Sequence, residues 1–159
     1  MTHLKEQMSA PPFVATLHNG ASIALSDFAD QKLALYFYPK DLTATCTIQA
    51  CNLRDHYSTL LQSGINVIGI SPDKPQTHQR FIDKHQLPFP LIADIDQQIA
   101  QLYGVWQLKK FMGRAYMGIV RTTFLINESS IIEKIVTKVE SKKHAQQILS
   151  LTPTTRATK

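Results

Sequence analysis

Cys46 and Cys51 are the only thiols in this chain, and the residues around them decide what they can do. Leu33 to Tyr38 is an apolar, aromatic-rich run that reads as a buried strand, and Pro39 stops it before a polar turn leading into a helical pattern. With Thr43 as N-cap, Ala44 to Cys46 fill the first three helical positions. Backbone N–H groups there lack intrahelical partners, and the helix dipole favours negative charge. A thiol so placed is drawn toward the thiolate, its nucleophilic form.

Counting on from Cys46 at about 100° per residue, Ala50, Leu53, Tyr57 and Leu60 share its face and make a core-facing stripe, whereas Cys51 lies about 140° away. Residues five apart in an intact helix have Cα atoms roughly 8 to 9 Å apart, beyond the ~7 Å reach of a disulfide. The two sulfurs can bond only if the helix opens. The spacing alone leaves two readings: a reactive thiol with a second thiol reached by local unfolding, or two inert small hydrophobes.

The segment Tyr36-Phe37-Tyr38-Pro39-Lys40-Asp41, the Pro-x3-Thr-x2-Cys pattern of Pro39, Thr43 and Cys46, and a cysteine five residues further on resemble the peroxiredoxins. Within them the chain is most similar to the peroxiredoxin Q group, also called bacterioferritin comigratory proteins. The resemblance extends to Ala10-Pro11 and Phe13, Ile70-Ser71-Pro72-Asp73, Tyr103-Gly104-Val105-Trp106, and Arg121-Thr122-Thr123-Phe124-Leu125-Ile126. It implies a thioredoxin-like fold and a thiol-dependent peroxidase acting on hydrogen peroxide and organic hydroperoxides. Cys46 would attack the peroxide and become a sulfenic acid. Cys51 would then close an intramolecular disulfide with it, and thioredoxin or a similar dithiol would reduce that disulfide.

Such chemistry needs donors aimed at one small volume, to hold the thiolate and the departing oxygen. Thr43 would bring its hydroxyl within reach of the sulfur, with a plain helix cap as its simpler role. Pro39 would shield the sulfur from water, besides ending the strand. Arg121 opens the apolar strand Val120 to Ile126, where a guanidinium is costly to bury without a negative partner. By position alone an exposed strand-end arginine is the simpler reading. The family pattern, in which an arginine before this strand reaches the active site, reverses it. Two positions depart from the group's usual residues: Ala44-Thr45 stands where Pro-Gly is common, and Gln49 where Glu is frequent.

The elements that must position these residues follow from pattern. Met1 to Pro12 reads as a loose lead-in, flexible over residues 1–10. Phe13 to Leu17 and Ser22 to Leu25 form a hairpin around His18-Asn19-Gly20, and Ser26-Asp27 starts a short helix to Ala29. After the central strand, one long helix runs to about Ser63. Ile65 to Ile70 is an apolar strand, Lys74 to His85 a helix with Phe81 and Ile82 inward, Leu91 to Ala93 a brief strand, and Gln97 to Tyr103 a short helix. Gly104 to Gly118 reads as a basic, aromatic-spotted connection without period. Val120 to Ile126 and Ile131 to Val136 form a hairpin around Asn127 to Ser130, Ser141 to Leu151 a closing helix, and Thr152 to Lys159 a frayed, flexible tail. The rhythm predicts an α/β fold with a central mixed sheet flanked by helices and an N-terminal β-hairpin.

At 159 residues, 43% hydrophobic and 18% charged, the chain suits a single domain, residues 1–159. Its apolar runs fall short of the ~20 residues that cross a bilayer, and Met1 to Ala10 has no apolar centre of a signal peptide, so a cytoplasmic protein without membrane attachment is expected. The formal charge of +5 is concentrated late: from Trp106 onward ten Lys/Arg face three Asp/Glu, against seven and nine before it. No nucleic-acid motif accompanies that basic third, which favours a solvated face over nucleic-acid binding. His56 with Cys46 and Cys51 fits no zinc spacing, and His3, His18, His78, His85 and His144 are scattered, so no metal is expected. The resemblance requires no cofactor, neither haem nor flavin. Intramolecular resolution needs no second subunit, and a monomer is expected. The alternative functions are a peroxide sensor using the same disulfide, or a non-enzymatic binding protein using the basic C-terminal third.

Overall fold

The computed structural model describes residues 2–152. In chain order the elements are β1 (Val14–Thr16), β2 (Ser22–Ala24), β3 (Lys32–Phe37), α1 (Ala44–Asp55), α2 (Tyr57–Gln62), β4 (Ile65–Ser71) and α3 (Pro75–His85). There follow β5 (Leu91–Ala93), α4 (Gln98–Leu102), β6 (Trp106–Phe111), β7 (Arg114–Ile119), β8 (Thr122–Ile126), β9 (Ile132–Val136) and α5 (His144–Leu151). Five strands make a mixed sheet in the order β5-β4-β3-β8-β9. β3, β4 and β5 run parallel, while β8 is antiparallel to both β3 and β9.

β3 lies at the centre and is buried throughout, which is why its residues form a near-continuous apolar run rather than an alternating one. The two-residue side-chain period then divides it between two cores. Leu33, Leu35 and Phe37 join Tyr103, Phe124, Ile99 and Ala100 on one face. Ala34, Tyr36 and the following Tyr38 meet Cys46, Ala50 and Leu53 of α1, Phe81 of α3 and Ile148 of α5 on the other. Truncating a fully buried leucine such as Leu53 costs about 2–5 kcal/mol. The helix that carries Cys46 is therefore fastened by its own apolar stripe.

The mixed sheet, the flanking helices and the hairpin β1–β2 match the expected fold class. Three local expectations require correction. The long helix is two helices, because the chain leaves helical geometry at His56 (φ −113°, ψ 14°). The His56 ring folds back on the last turn of α1, its Nδ1 3.0 Å from the Asn52 carbonyl to which its own backbone N–H donates at 3.3 Å.

The segment read as a connection from Gly104 to Gly118 is instead mostly the antiparallel hairpin β6–β7. Met112 and Gly113 turn it with φ of 51° and 79°. A two-residue turn of this kind ordinarily shows itself by Asn-Gly or Asp-Gly, and methionine in the first position conceals it.

The lead-in, expected to be flexible over residues 1–10, is tied down where it is described. Gln7 N–H donates to the Ile132 carbonyl at 2.7 Å, Ile132 N–H donates to the Met8 carbonyl at 2.9 Å, and Leu4 and Ala10 are buried in the core. At the other end Thr152 N–H still bonds the Ile148 carbonyl at 3.1 Å. The rest of the expected tail, residues 153–159, lies outside the described residues, as does Met1. Among the described residues no helix is long and apolar enough to cross a membrane.

Candidate active site

Thr43 is the N-cap of α1, with extended backbone (φ −81°, ψ 157°), and the first intrahelical bond runs from Thr47 N–H to the Thr43 carbonyl at 2.9 Å. Ala44, Thr45 and Cys46 therefore present N–H groups beyond the reach of helical acceptors. Cys46 is 2% exposed. Its sulfur sits under the positive end of the helix and inside the core layer that α1 shares with Tyr36 and Tyr38.

Arg121, in the single-residue step between Val120 and β8, reaches back to this turn. Its Nη2 donates to Cys46 Sγ at 3.3 Å and its Nη1 to Gln49 Oε1 at 2.6 Å. The fork fixes the planar guanidinium, and negative charge on Sγ would face one of its N–H groups directly. Gln49 is buried one helical turn from Cys46, and its carbonyl oxygen takes one arm of the fork without adding an anion beside the sulfur.

A second cation stands near. Lys109 Nζ donates to the Ile119 carbonyl at 2.8 Å. Its ammonium is held below the ordinary lysine range, first by burial and then by Arg121, while Cys46 acts in the opposite sense. Sequence reasoning missed Lys109, whose only signal was its place in a basic stretch.

The turn before α1 is clamped from below. Asp41 is buried and accepts from Tyr38 Oη at 2.5 Å and from His78 Nδ1 at 2.6 Å. Its backbone N–H donates to Asp73 Oδ2 at 2.8 Å, and Ser71 Oγ donates to the same carboxylate oxygen at 2.6 Å. His78 Nε2 meets the Ile92 carbonyl at 2.9 Å, so the ring joins α3 to β5 and to the turn. Burial, with Tyr36 and Asp41 adding to it, pushes the Tyr38 phenol well above its ordinary value, and it stays a donor. Asp41, Asp73 and His78 also form the grouping among the described residues with metal-like spacing, their ligand atoms lying within 4.8 Å of one another. Asp41 Oδ1 and Oδ2, Asp73 Oδ2 and His78 Nδ1 all have protein partners, and the cluster works as a clamp.

The other expected residues are placed as follows. Pro39 follows Tyr38, whose N–H makes the last bond from this stretch to β4, to the Ile70 carbonyl at 3.1 Å, and Pro39 is half-buried there. The Thr43 hydroxyl donates to the Lys40 carbonyl at 2.8 Å and makes no cap bond to the helix. Its proton thus closes the turn rather than reaching the sulfur. Cys51 lies on a different side of α1 from Cys46, half-buried against α3, with its Sγ 3.8 Å from His85 Nδ1. Both cysteines are free thiols.

This arrangement is a reduced thiol with a cation and a helix end aimed at it, and a second thiol held apart on the same helix. Residues 7–135 match the AhpC/TSA family. Peroxiredoxin Bcp of Escherichia coli is 41% identical over 150 residues, covering 94% of this chain and 96% of that protein. Peroxiredoxin Bcp of Bacillus subtilis is 40% identical over 140 residues, covering 88% and 89%. Among solved structures, Xanthomonas campestris bacterioferritin comigratory protein, studied as trapped intermediate and ligand complexes for its alkyl peroxide reduction activity, superposes with a TM-score of 0.82. It is 28% identical, over 87% of this chain and 88% of that one. With the fold, the thiol pair and relatives at this level in agreement, the chain belongs to the AhpC/TSA family and is a thiol-dependent peroxidase, a peroxiredoxin of the Q/Bcp group.

Proposed function

We propose that Cys46 is the peroxide-attacking thiol and Cys51 the thiol that resolves its oxidised form. The observation that carries this reading is the Arg121 N–H aimed at Cys46 Sγ from 3.3 Å, in the first turn of α1. The thiolate attacks one oxygen of ROOH, the O–O bond breaks, and the departing oxygen takes a proton to leave as ROH or water. Cys46 is left as a sulfenic acid. Arg121 and the outward N–H groups of the first helical turn face both the sulfur and the charge that develops on the leaving oxygen. Pro39 limits water at the sulfur, and Thr43 sets the turn through its bond to Lys40.

Resolution needs α1 to open, since the two cysteines stand five positions apart on an intact helix. The sulfenic acid and Cys51 then form a disulfide with loss of water, which an external dithiol of the thioredoxin type reduces. Organic hydroperoxides belong with hydrogen peroxide in the substrate range, a reading supported by the alkyl peroxide reduction of the Xanthomonas relative. The cycle needs one chain only, and we assign it to a monomeric, single-domain cytoplasmic enzyme.

Hydroperoxide consumption in the presence of thioredoxin and its reductase tests the assignment. Cys46→Ser is expected to lose turnover. Cys51→Ser is expected to complete one reduction and then stall, with Cys46 accumulating in overoxidised forms. Equal steady-state turnover of Cys51→Ser and wild type would remove Cys51 as resolver.

A further inference from the structure

Helix α1 is held very differently at its two ends. Its C-terminal half is tied to two neighbouring helices by polar contacts. Asn52 Oδ1 accepts from Ala145 N–H at 2.7 Å, Asn52 Nδ2 donates to Gln146 Oε1 at 3.2 Å, and Arg54 Nη1 donates to the His85 carbonyl at 2.8 Å. Among the described residues, its N-terminal half has the Arg121 fork to Cys46 and Gln49 as its polar side-chain tie to the rest of the fold, beside the apolar packing of Cys46 and Ala50. Oxidation of Cys46 changes one arm of that fork. Cys51 stands where the firmly tied half begins, and opening of α1 from Thr43 would carry Cys46 toward it.

Cys51 in its resting place touches His85. Its Sγ lies 3.8 Å from Nδ1, at the C-terminal end of α3, where Phe81 supports the imidazole by an edge contact with ring centroids 5.5 Å apart. The charged groups acting on the ring are Lys84 on its own helix and Arg54 on α1. Burial first, and then these two cations, hold the imidazole below the ordinary histidine range, so at neutral pH it is an uncharged base.

We infer that His85 is a catalytic residue of the resolving step, taking the thiol proton of Cys51 as that sulfur attacks the incoming Cys46 sulfenic acid. The inference rests on Cys51 being the resolving thiol. The Cys51 Sγ–H bond breaks toward His85 Nδ1, the Sγ–Sγ bond forms, and the Cys46 S–O bond breaks. The hydroxide leaves as water with the proton His85 returns. The pair that makes the Sγ–Sγ bond comes from Cys51 and the S–O pair leaves with the hydroxide, so Cys51 is oxidised as Cys46 is reduced and no outside oxidant or reductant is consumed.

The test follows the two steps separately. Reduced protein is mixed with one equivalent of hydrogen peroxide and quenched at intervals with an acid-stable alkylating reagent. Intact mass then counts Cys46 sulfenic acid and the disulfide in wild type, His85→Gln and Cys51→Ser, from about pH 6 to about pH 9.5. Formation of the sulfenic acid is the internal reference. His85→Gln is expected to form the disulfide at least about tenfold more slowly near pH 7, with the gap closing above about pH 9, where an ordinary thiol, near 8.5, ionises unaided. A disulfide rate equal to wild type near pH 7, or a deficit of the same size at every pH, would overturn the role of His85. If Cys51→Ser turns over peroxide with thioredoxin and its reductase as fast as wild type, the resolver assignment falls with it. If Cys51→Ser stalls after one reduction while His85→Gln behaves as wild type, the role of His85 alone falls.

Discussion

Arg121 Nη2 lies 3.3 Å from Cys46 Sγ although 75 positions separate the two residues in the chain. The sheet makes the meeting possible. β3 and β8 are antiparallel neighbours with Phe37 opposite Thr122, so the residue before β8 and the helix after β3 emerge at the same end of the sheet. Gln49, one turn beyond Cys46, takes the other arm of the guanidinium and fixes its orientation.

Removing that cation should slow the peroxide step more than the resolving step. Arg121→Ala is expected to lower the second-order rate constant for hydrogen peroxide by about a hundredfold, the scale of losing one preorganised donor at a developing charge. Arg121→Lys, which keeps charge but not the fork, should recover part of it. Stopped-flow oxidation of reduced protein measures both.

The clamp under the turn should matter for stability. Asp41→Ala leaves Tyr38 Oη and His78 Nδ1 facing each other in a dry interior without the carboxylate that joins them. A loss of about 3 kcal/mol or more is expected in urea unfolding, in the range for breaking a buried pair from one side. A loss below about 1 kcal/mol would show that the cluster reorganises.

Stability should also fall on acidification through His144. This ring is buried and satisfied as a neutral base: Nδ1–H donates to Gln147 Oε1 at 2.8 Å, and Nε2 accepts from Thr123 Oγ1 at 2.8 Å. Burial, its largest cause, pushes its pKa from 6.5 down to about 4; Gln147 raises it and Arg121 lowers it further. Above pH 6.5 the group is neutral in both folded and unfolded chains. As pH falls from 6.5 toward 4 the unfolded chain takes up the proton first, and the fold loses about 3 kcal/mol through this group. Denaturation of wild type and His144→Asn at both ends of that window should show a smaller pH-dependent loss in the variant.

Parts of this arrangement are legible in the chain and parts are not, for physical reasons. The face shared by Cys46, Ala50 and Leu53 follows from helical period, and all three are buried together. The placement of Thr43 before the helix follows from strand, proline and turn in succession. Period says nothing about the backbone angles of a single residue, and so the break at His56 is hidden behind an unbroken apolar stripe. The hairpin β6–β7 is hidden because Met112 occupies a left-handed position that asparagine or glycine would advertise. The contact between Cys51 and His85, and the approach of Lys109 to Arg121, are products of packing between elements distant in the chain.

Whether Cys46 is the sulfur that peroxide oxidises is read by treating reduced Cys51→Ser protein with one equivalent of hydrogen peroxide, trapping sulfenic acid with a selective carbon nucleophile, and locating the adduct by peptide mass spectrometry. Near-complete labelling is expected at Cys46, with none in Cys46→Ser. Labelling at Cys51 in Cys46→Ser with undiminished peroxide consumption, and none at Cys46 in the companion variant, would contradict it.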